Sequence, residues 1–332
     1  MLSEDERRDR RERRRQDLRR RRLGALGGLL LAIAALTAGI VVGSGGDEPS
    51  RGGGQAASGQ GDGEEAKPVP PPQLPRGGRR IFPDNRVVAF YGAPNAAALG
   101  ILGIGTPTRA GRKLQKVARP YVRAGRKPVL PAMELIATVA SGASTGGRYS
   151  YRQPRAFMDR YLKAARRAKA LLLLDVQPGR ADFLKETRAL RKWLREPDVG
   201  LALDPEWHVS DTQIPGKALG SVEAADINRV SKYLSGIVRQ GNLPQKLLIV
   251  HQFTPGMIKN RSQLRRYPGV ALVMNIDGFG NRADKIAVYR DLAPRGRKLG
   301  RGFKLFYEED EGLMSPREVM RLRPRPDVVV YE

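Results

Sequence analysis

Eight short apolar runs recur through the last three quarters of this 332-residue chain, and nearly all end in acidic or other polar residues. They are Arg86–Tyr91, Pro128–Glu134, Leu171–Asp175, Val199–Asp204, Lys246–Gln252, Gly269–Asp277, Phe303–Glu309 and Asp327–Tyr331. Continuous apolar runs of this length suit strands buried on both faces, as in a parallel sheet whose crossovers are helices. A strand and helix unit repeated eight times over roughly 250 residues predicts an α/β fold, the (β/α)8 TIM-type barrel. In that architecture the loops after the strands share one face, so the polar run-ends meet at a single mouth.

The gaps between runs support this reading. Pro154–Ala170 sets Phe157, Tyr161, Leu162 and Ala165 on one stripe with arginine and lysine opposite, as a helix lying on a sheet requires. Ala181–Arg195, Ser221–Gln240 and Met257–Tyr267 carry similar patterns. The first crossover is interrupted by Gly103–Thr108 (GIGTPT) and by Pro120. Two segments read as long loops, Leu135–Gln153 after the second run and Pro205–Gly220 after the fourth. Long loops inside a compact domain are usually functional.

The beginning of the chain predicts location. Residues 1–22 hold eleven arginines against six acids, and Leu23–Gly43 contains no charged side chain. About 20 apolar residues cross the hydrocarbon core as a helix. The arginine excess before them predicts a cytoplasmic N-terminus and a cell-membrane protein with its barrel outside the cytoplasm. A cleaved signal peptide, ending near Val41 to Gly43, is the competing reading. Residues 44–80 are rich in Gly, Ser, Pro and Gln and read as a disordered tether, leaving 81–332 as the barrel domain. With no cysteine, neither disulfides nor a lipobox anchor contribute.

Net charge is +26. A chain this basic is drawn to anionic polymers, which for an exported domain means lipid head groups or an acidic cell-wall glycan. Basic residues such as Lys113, Arg119, Lys163, Arg167, Arg188 and Arg195 are spread over the expected crossover helices without a nucleic-acid motif or an aromatic stacking set, so nucleic acid is not the expected partner. The bland alternative is a solvated arginine-rich surface.

At the expected mouth the residue types become specific. The fourth run closes in Asp204, Pro205, Glu206, Trp207 and His208, and in an extended chain Asp204 and Glu206 point to the same side. Around them the same face is expected to carry Glu134, Asp175, Gln177, His251, Gln252, Asn275, Asp277 and, after the seventh run, Glu308 with Glu309. Paired carboxylates are what glycosidic cleavage requires, one delivering a proton to the leaving oxygen and one attacking or stabilising the cationic sugar. Like charges held close drive their pKa values apart, which supplies both protonation states at one pH. Tyr91 and Trp207 would stack on a sugar face. Carboxylates after strands also cap helices, and that structural reading stands beside the catalytic one. Trp193 reads as core packing.

The run LALDPEWHV, an apolar strand closing in D-x-E and an aromatic, resembles the fourth-strand motif of (β/α)8-barrel glycoside hydrolases and is most similar to that of exported bacterial muramidases. The resemblance implies Glu206 as proton donor and Asp204 as the partner that positions or stabilises substrate. Where the muramidases carry an aspartate at the end of strand one, this chain has Phe90, Tyr91 and Gly92. Other barrel glycosidases place a nucleophile after strand seven, which makes Glu206 with Glu308 a variant pair. The competing class is a non-catalytic anchored barrel that binds glycan or organises the envelope.

No cofactor is expected, because there is no cysteine nucleophile, phosphate loop or G-x-S-x-G elbow. Metal-dependent barrels usually need several histidines, and this chain has only two, so no metal is expected either. A hard cation between Asp175, Asp204, Glu206 and His251 is the minor alternative.

Overall fold

The computed structural model describes residues 70–332 except residue 297. Eight parallel strands close into a barrel: β1 (Arg86–Gly92), β2 (Val129–Ala140), β3 (Leu171–Val176), β4 (Val199–Leu203), β5 (Lys246–Gln252), β6 (Val270–Ile276), β7 (Gly300–Leu305) and β8 (Val328–Tyr331). Closure is made by β1, which pairs with β2 from Arg86↔Val129 onward and with β8 from Val87↔Val328 onward. Full closure removes both sheet edges.

The alternation of side chains divides the core in two. Inside the barrel lie Val87, Ala89, Leu130, Ala132, Leu173, Ala202, Ile249, Val273 and Val330; outside, Val88, Phe90, Leu172, Leu248 and Val329 pack under the helices. Nearly every position is apolar because both faces are covered.

Most crossovers are helical: α1 (Pro107–Gly125), α2 (Arg155–Arg167), the broken pair α3 (Phe183–Ala189) and α4 (Arg191–Leu194), α5 (Ala224–Gln240), α6 (Arg282–Leu292) and α7 (Pro316–Arg321). α1 begins at a Thr106 cap that accepts from the Arg109 amide, with Pro107 in its first turn, and it runs on through Pro120. Trp193 is buried and donates to Asp159, as a core residue with a polar tip should.

Three segments differ from the sequence expectation. Met257–Tyr267 forms short 3-10 turns and a two-residue strand instead of a helix, because Pro255 and Gly256 precede it, Asn260 turns left-handed and Pro268 closes it. Leu135–Gln153 is not a loop throughout. The β-branched Ile136, Thr138 and Val139 extend β2, and Ser150–Arg152 returns antiparallel against it. The seventh strand starts earlier and ends earlier than its apolar run, at Leu305, leaving Glu308 and Glu309 in a turn.

The apolar run 23–43 and most of the tether, 44–69, lie outside the described residues. Among the described residues no helix is long and apolar enough to cross a membrane. Residues 70–80, which share the composition of the tether, are packed on the fold: Leu74 is buried, and the neighbouring Ile81 is fully enclosed beneath the barrel. The Gln245 side chain accepts from the amides of Ile81 and Phe82 at 2.8 and 3.0 Å. This segment therefore plugs the end of the barrel where the strands begin.

Ile81→Ala is expected to cost about 2–5 kcal/mol in urea unfolding, the range for a fully buried aliphatic side chain. A loss below about 0.5 kcal/mol, the size of an ordinary surface substitution, would show that the plug carries no packing.

Candidate active site

Each strand, or the residue that directly follows it, places a polar side chain in phase with the inward apolar residues: Tyr91, Glu134, Asp175, Asp204, His251, Asn275, Lys304 and Glu332. Parallel strands of one barrel bring these positions to a common level at the mouth. Room is made by glycine on β7, since a Cβ at Gly302 would collide with the Asn275 side chain.

His251 is the hub. Its Nδ1 lies 2.6 Å from Asp277 and its Nε2 lies 2.9 Å from Glu134, all three groups being buried. Burial alone would lower the imidazole pKa, but the two carboxylates outweigh it and hold the ring protonated well above the ordinary histidine range. Asn275 donates to the other oxygen of Asp277 at 2.6 Å. Lys304 is the second cation of the layer, 2.5 Å from Glu332 and 3.7 Å from Asp277, and its ammonium lies 3.9 Å from the centre of the Tyr91 ring.

On the other side Tyr91 donates to Asp175 at 3.1 Å and accepts from Gln177 at 3.1 Å. Burial pushes the Asp175 carboxyl up to about 7, against the opposing pull of His251. Asp204 is likewise held well above the usual carboxylate range, first by burial and then by the negative charge of Glu206. The expected carboxylate pair is thus brought together, though by a different geometry. The chain leaves β4 at Leu203 and turns through a 3-10 helix, Pro205–Trp207, so Glu206 reaches Asp204 from a turn and not along an extended strand.

Six carboxylates (Glu134, Asp175, Asp204, Glu206, Asp277 and Glu332) face two cations, His251 and Lys304. Four buried acceptors, on Glu134, Asp175, Asp204 and Asn275, receive no hydrogen bond among the described residues. Such oxygens are satisfied by a proton or by a donor-rich ligand. Glu134, Asp175 and His251 also bring one potential ligand atom each to within 4.8 Å of one another. A metal there would need a neutral imidazole, which the two carboxylates holding the His251 proton oppose.

The remaining expected residues lie apart from this layer. His208 is half-buried, bonded through Nδ1 to the Ser221 carbonyl and packed on Phe183, so it fastens the loop after β4. Gln252 faces outward from β5 and donates to the Thr254 carbonyl. Trp207 is buried and Tyr91 is covered by Lys304, so neither offers a free face at the surface. Glu308 is exposed in the turn after β7. Lys304 and Glu332 are the participants that sequence reasoning missed. The signal for Lys304 was a lysine between Phe303 and Leu305, polar in phase with the interior.

The loops after β2, β3 and β4 form one stitched rim. Arg180 donates its amide to the Arg148 carbonyl at 2.7 Å, and Val209 donates to the Gly179 carbonyl at 3.0 Å. Gly179 has φ +64°, and a Cβ there would meet the Arg148 and Tyr149 carbonyls.

No protein family matches the chain, and no curated protein matches it. Among solved structures it is similar to the cellulose synthase subunit Z of Clostridioides difficile, with 10% identity over 68% of this chain and a TM-score of 0.31. The chain spans 62% of that subunit's length. It is also similar to a GH5 family lichenase from Caldicellulosiruptor sp. F32, with 11% identity over 69% of this chain and 75% of that one, and a TM-score of 0.35. Neither is a muramidase. The barrel assignment rests on the strand pairing itself.

A carboxyl raised to about 7 keeps its proton in the folded chain where the unfolded chain has released it. Asp175 therefore lends stability at acid pH that is lost as pH rises from about 4 through about 7. Urea unfolding of Asp175→Asn at pH 4 and pH 8 is expected to show the variant gaining on the parent at pH 8 by on the order of 2–4 kcal/mol. An unchanged difference between the two pH values would contradict the enclosed charge layer.

Proposed function

We propose that this chain is a membrane-anchored, extracytoplasmic barrel that acts on a cell-envelope or extracellular glycan by carboxylate acid and base catalysis. The observation that carries the reading is the buried Asp204 and Glu206 pair at the mouth, with Asp204 held above the ordinary carboxylate range beside its neighbour. Carboxyls held close have their pKa values driven apart, and in the unliganded barrel the pushed-up member is Asp204, so the choice of Glu206 as donor rests on the D-x-E resemblance. Glu206 delivers the proton to the leaving oxygen, and Asp204 positions or stabilises the sugar. The acceptor oxygens of Glu134, Asp175 and Asn275 suit a ligand rich in hydroxyl donors. The apolar run 23–43 and its arginine-rich flank supply the anchor.

One observation favours the second reading, a non-catalytic glycan-binding or envelope-organising barrel. Asp204 is 2% and Glu206 6% exposed, so a polymer reaches the pair only after a mouth loop yields.

The test is release of soluble sugar from purified cell-wall material and a panel of polysaccharides by the full chain, beside Glu206→Gln. The expected result is product from the parent and a loss of about 10²-fold or more in the variant. Equal product from both would eliminate Glu206 as the acid, and binding without product from either would establish the non-catalytic reading.

A further inference from the structure

The charge of the barrel is polarised along its axis. In the connections that enter strands, basic residues outnumber acids by roughly three to one, whereas in those that leave strands acids outnumber bases by about two to one. An arginine-rich composition acting alone would load both ends alike. Complementing helix dipoles explains cations in last helical turns, such as Arg123, Arg239 and Arg321. It does not explain Arg266 and Lys298, which lie in connections beyond the helices, nor Arg76 and Lys127, although Arg76 also donates to the Val129 and Lys169 carbonyls and to Gln115, and Lys127 to the Pro83 carbonyl.

These residues frame hollows. A cavity of about 500 Å³ beneath the strand starts is lined by Lys127, Arg266, Lys298 and Arg301, with Asp327 as its one acid. A second, of about 450 Å³, takes in Arg76, Arg167 and Lys169. Arg76, Arg167, Lys169, Arg266 and Lys298 are exposed, and among the described residues none of them pairs with a carboxylate. The described chain also enters the fold at this end, where Arg79 holds the Pro72 carbonyl at 2.7 Å and Leu74 and Ile81 plug the barrel. The apolar run 23–43 is thus joined to the barrel through its basic end.

We propose that the strand-entry face of the barrel is a docking surface for anionic phospholipid head groups, which seats the domain on the membrane with its mouth directed away. The inference rests on the membrane-anchored part of the proposed function and is independent of the catalytic part. The phosphates of a lipid surface meet the guanidinium and ammonium groups of the two hollows, an attraction that salt screens. The acidic mouth is repelled by the same surface, so the two ends act together to set the orientation.

The chain has no cysteine, so single labels can be placed at will. The full chain is reconstituted into phosphatidylcholine vesicles, or into vesicles that also contain phosphatidylglycerol, each carrying a quencher on the lipid head group. The fluorophore sits either at Gln240→Cys, exposed at the strand-entry end, or at Thr212→Cys, exposed on the loop after β4. Quenching at position 240 is expected to rise about twofold or more with phosphatidylglycerol and to vanish at high salt, while position 212 stays unquenched. Adding Lys127→Gln, Arg266→Gln and Lys298→Gln should return position 240 to its level in phosphatidylcholine. Equal quenching in both vesicles, or quenching at position 212, would overturn the proposal. Release of position 240 by a soluble acidic polysaccharide that binds in preference to the vesicles would also overturn it, making the face a polymer site. Chain that leaves the vesicles at high salt fails the anchor and the docking together, whereas chain that stays without salt-sensitive quenching fails the docking alone.

Discussion

Closure of eight parallel strands is the constraint on which everything else depends. Once β1 pairs with both β2 and β8, side chains on alternate positions have no choice but to point at one another across the barrel. Below the mouth these positions are apolar and fill the interior. One step higher they are Tyr91, Glu134, Asp175, Asp204, His251, Asn275, Lys304 and Glu332, gathered from positions as much as 241 residues apart in the chain. An enclosed layer with more carboxylates than cations must hold protons that solvent-exposed carboxylates would release, and Asp175 and Asp204 show where it holds them. The His251 bridge between Glu134 and Asp277 is what keeps so many acids tolerable at one level.

The chemistry of the layer follows from its enclosure. Buried oxygens without donors favour a guest that brings hydroxyl groups or positive charge, and burial together with Glu206 pushes Asp204 toward its protonated form. The same enclosure hides Tyr91 and Trp207, so neither serves as an exposed sugar platform in this conformation. The strand-entry end has the opposite character, exposed and basic where the mouth is buried and acidic. A single chain thereby presents two ends of opposite electrostatic character.

Much of this was legible in the sequence because a parallel strand buried on both faces leaves a run that few other structures produce. Lys246–Gln252 was readable to the residue, and so were Glu134, Asp175, His251, Asn275 and Asp277 as members of one face. What periodicity could not reveal was where a run stops being strand. FKLFYEE is apolar apart from its lysine and then acidic, yet the chain turns after Leu305, which exposes Glu308 and leaves Lys304 as the inward residue. LIATVASG reads as a loop by its small residues, but Ile136, Thr138 and Val139 are β-branched and prolong β2. Asp204 and Glu206 do lie together at the mouth, but not along an extended strand, because Pro205 starts a turn.

The most direct measurement of the pooled charge layer is a nitrogen-15 histidine titration by NMR, which is simple here because the chain holds only two histidines. The account predicts that His251 stays doubly protonated well above pH 6.5 and that Asp277→Asn brings its titration down. A His251 that loses its proton below pH 6.5, as a buried imidazole without carboxylate partners does, would contradict it.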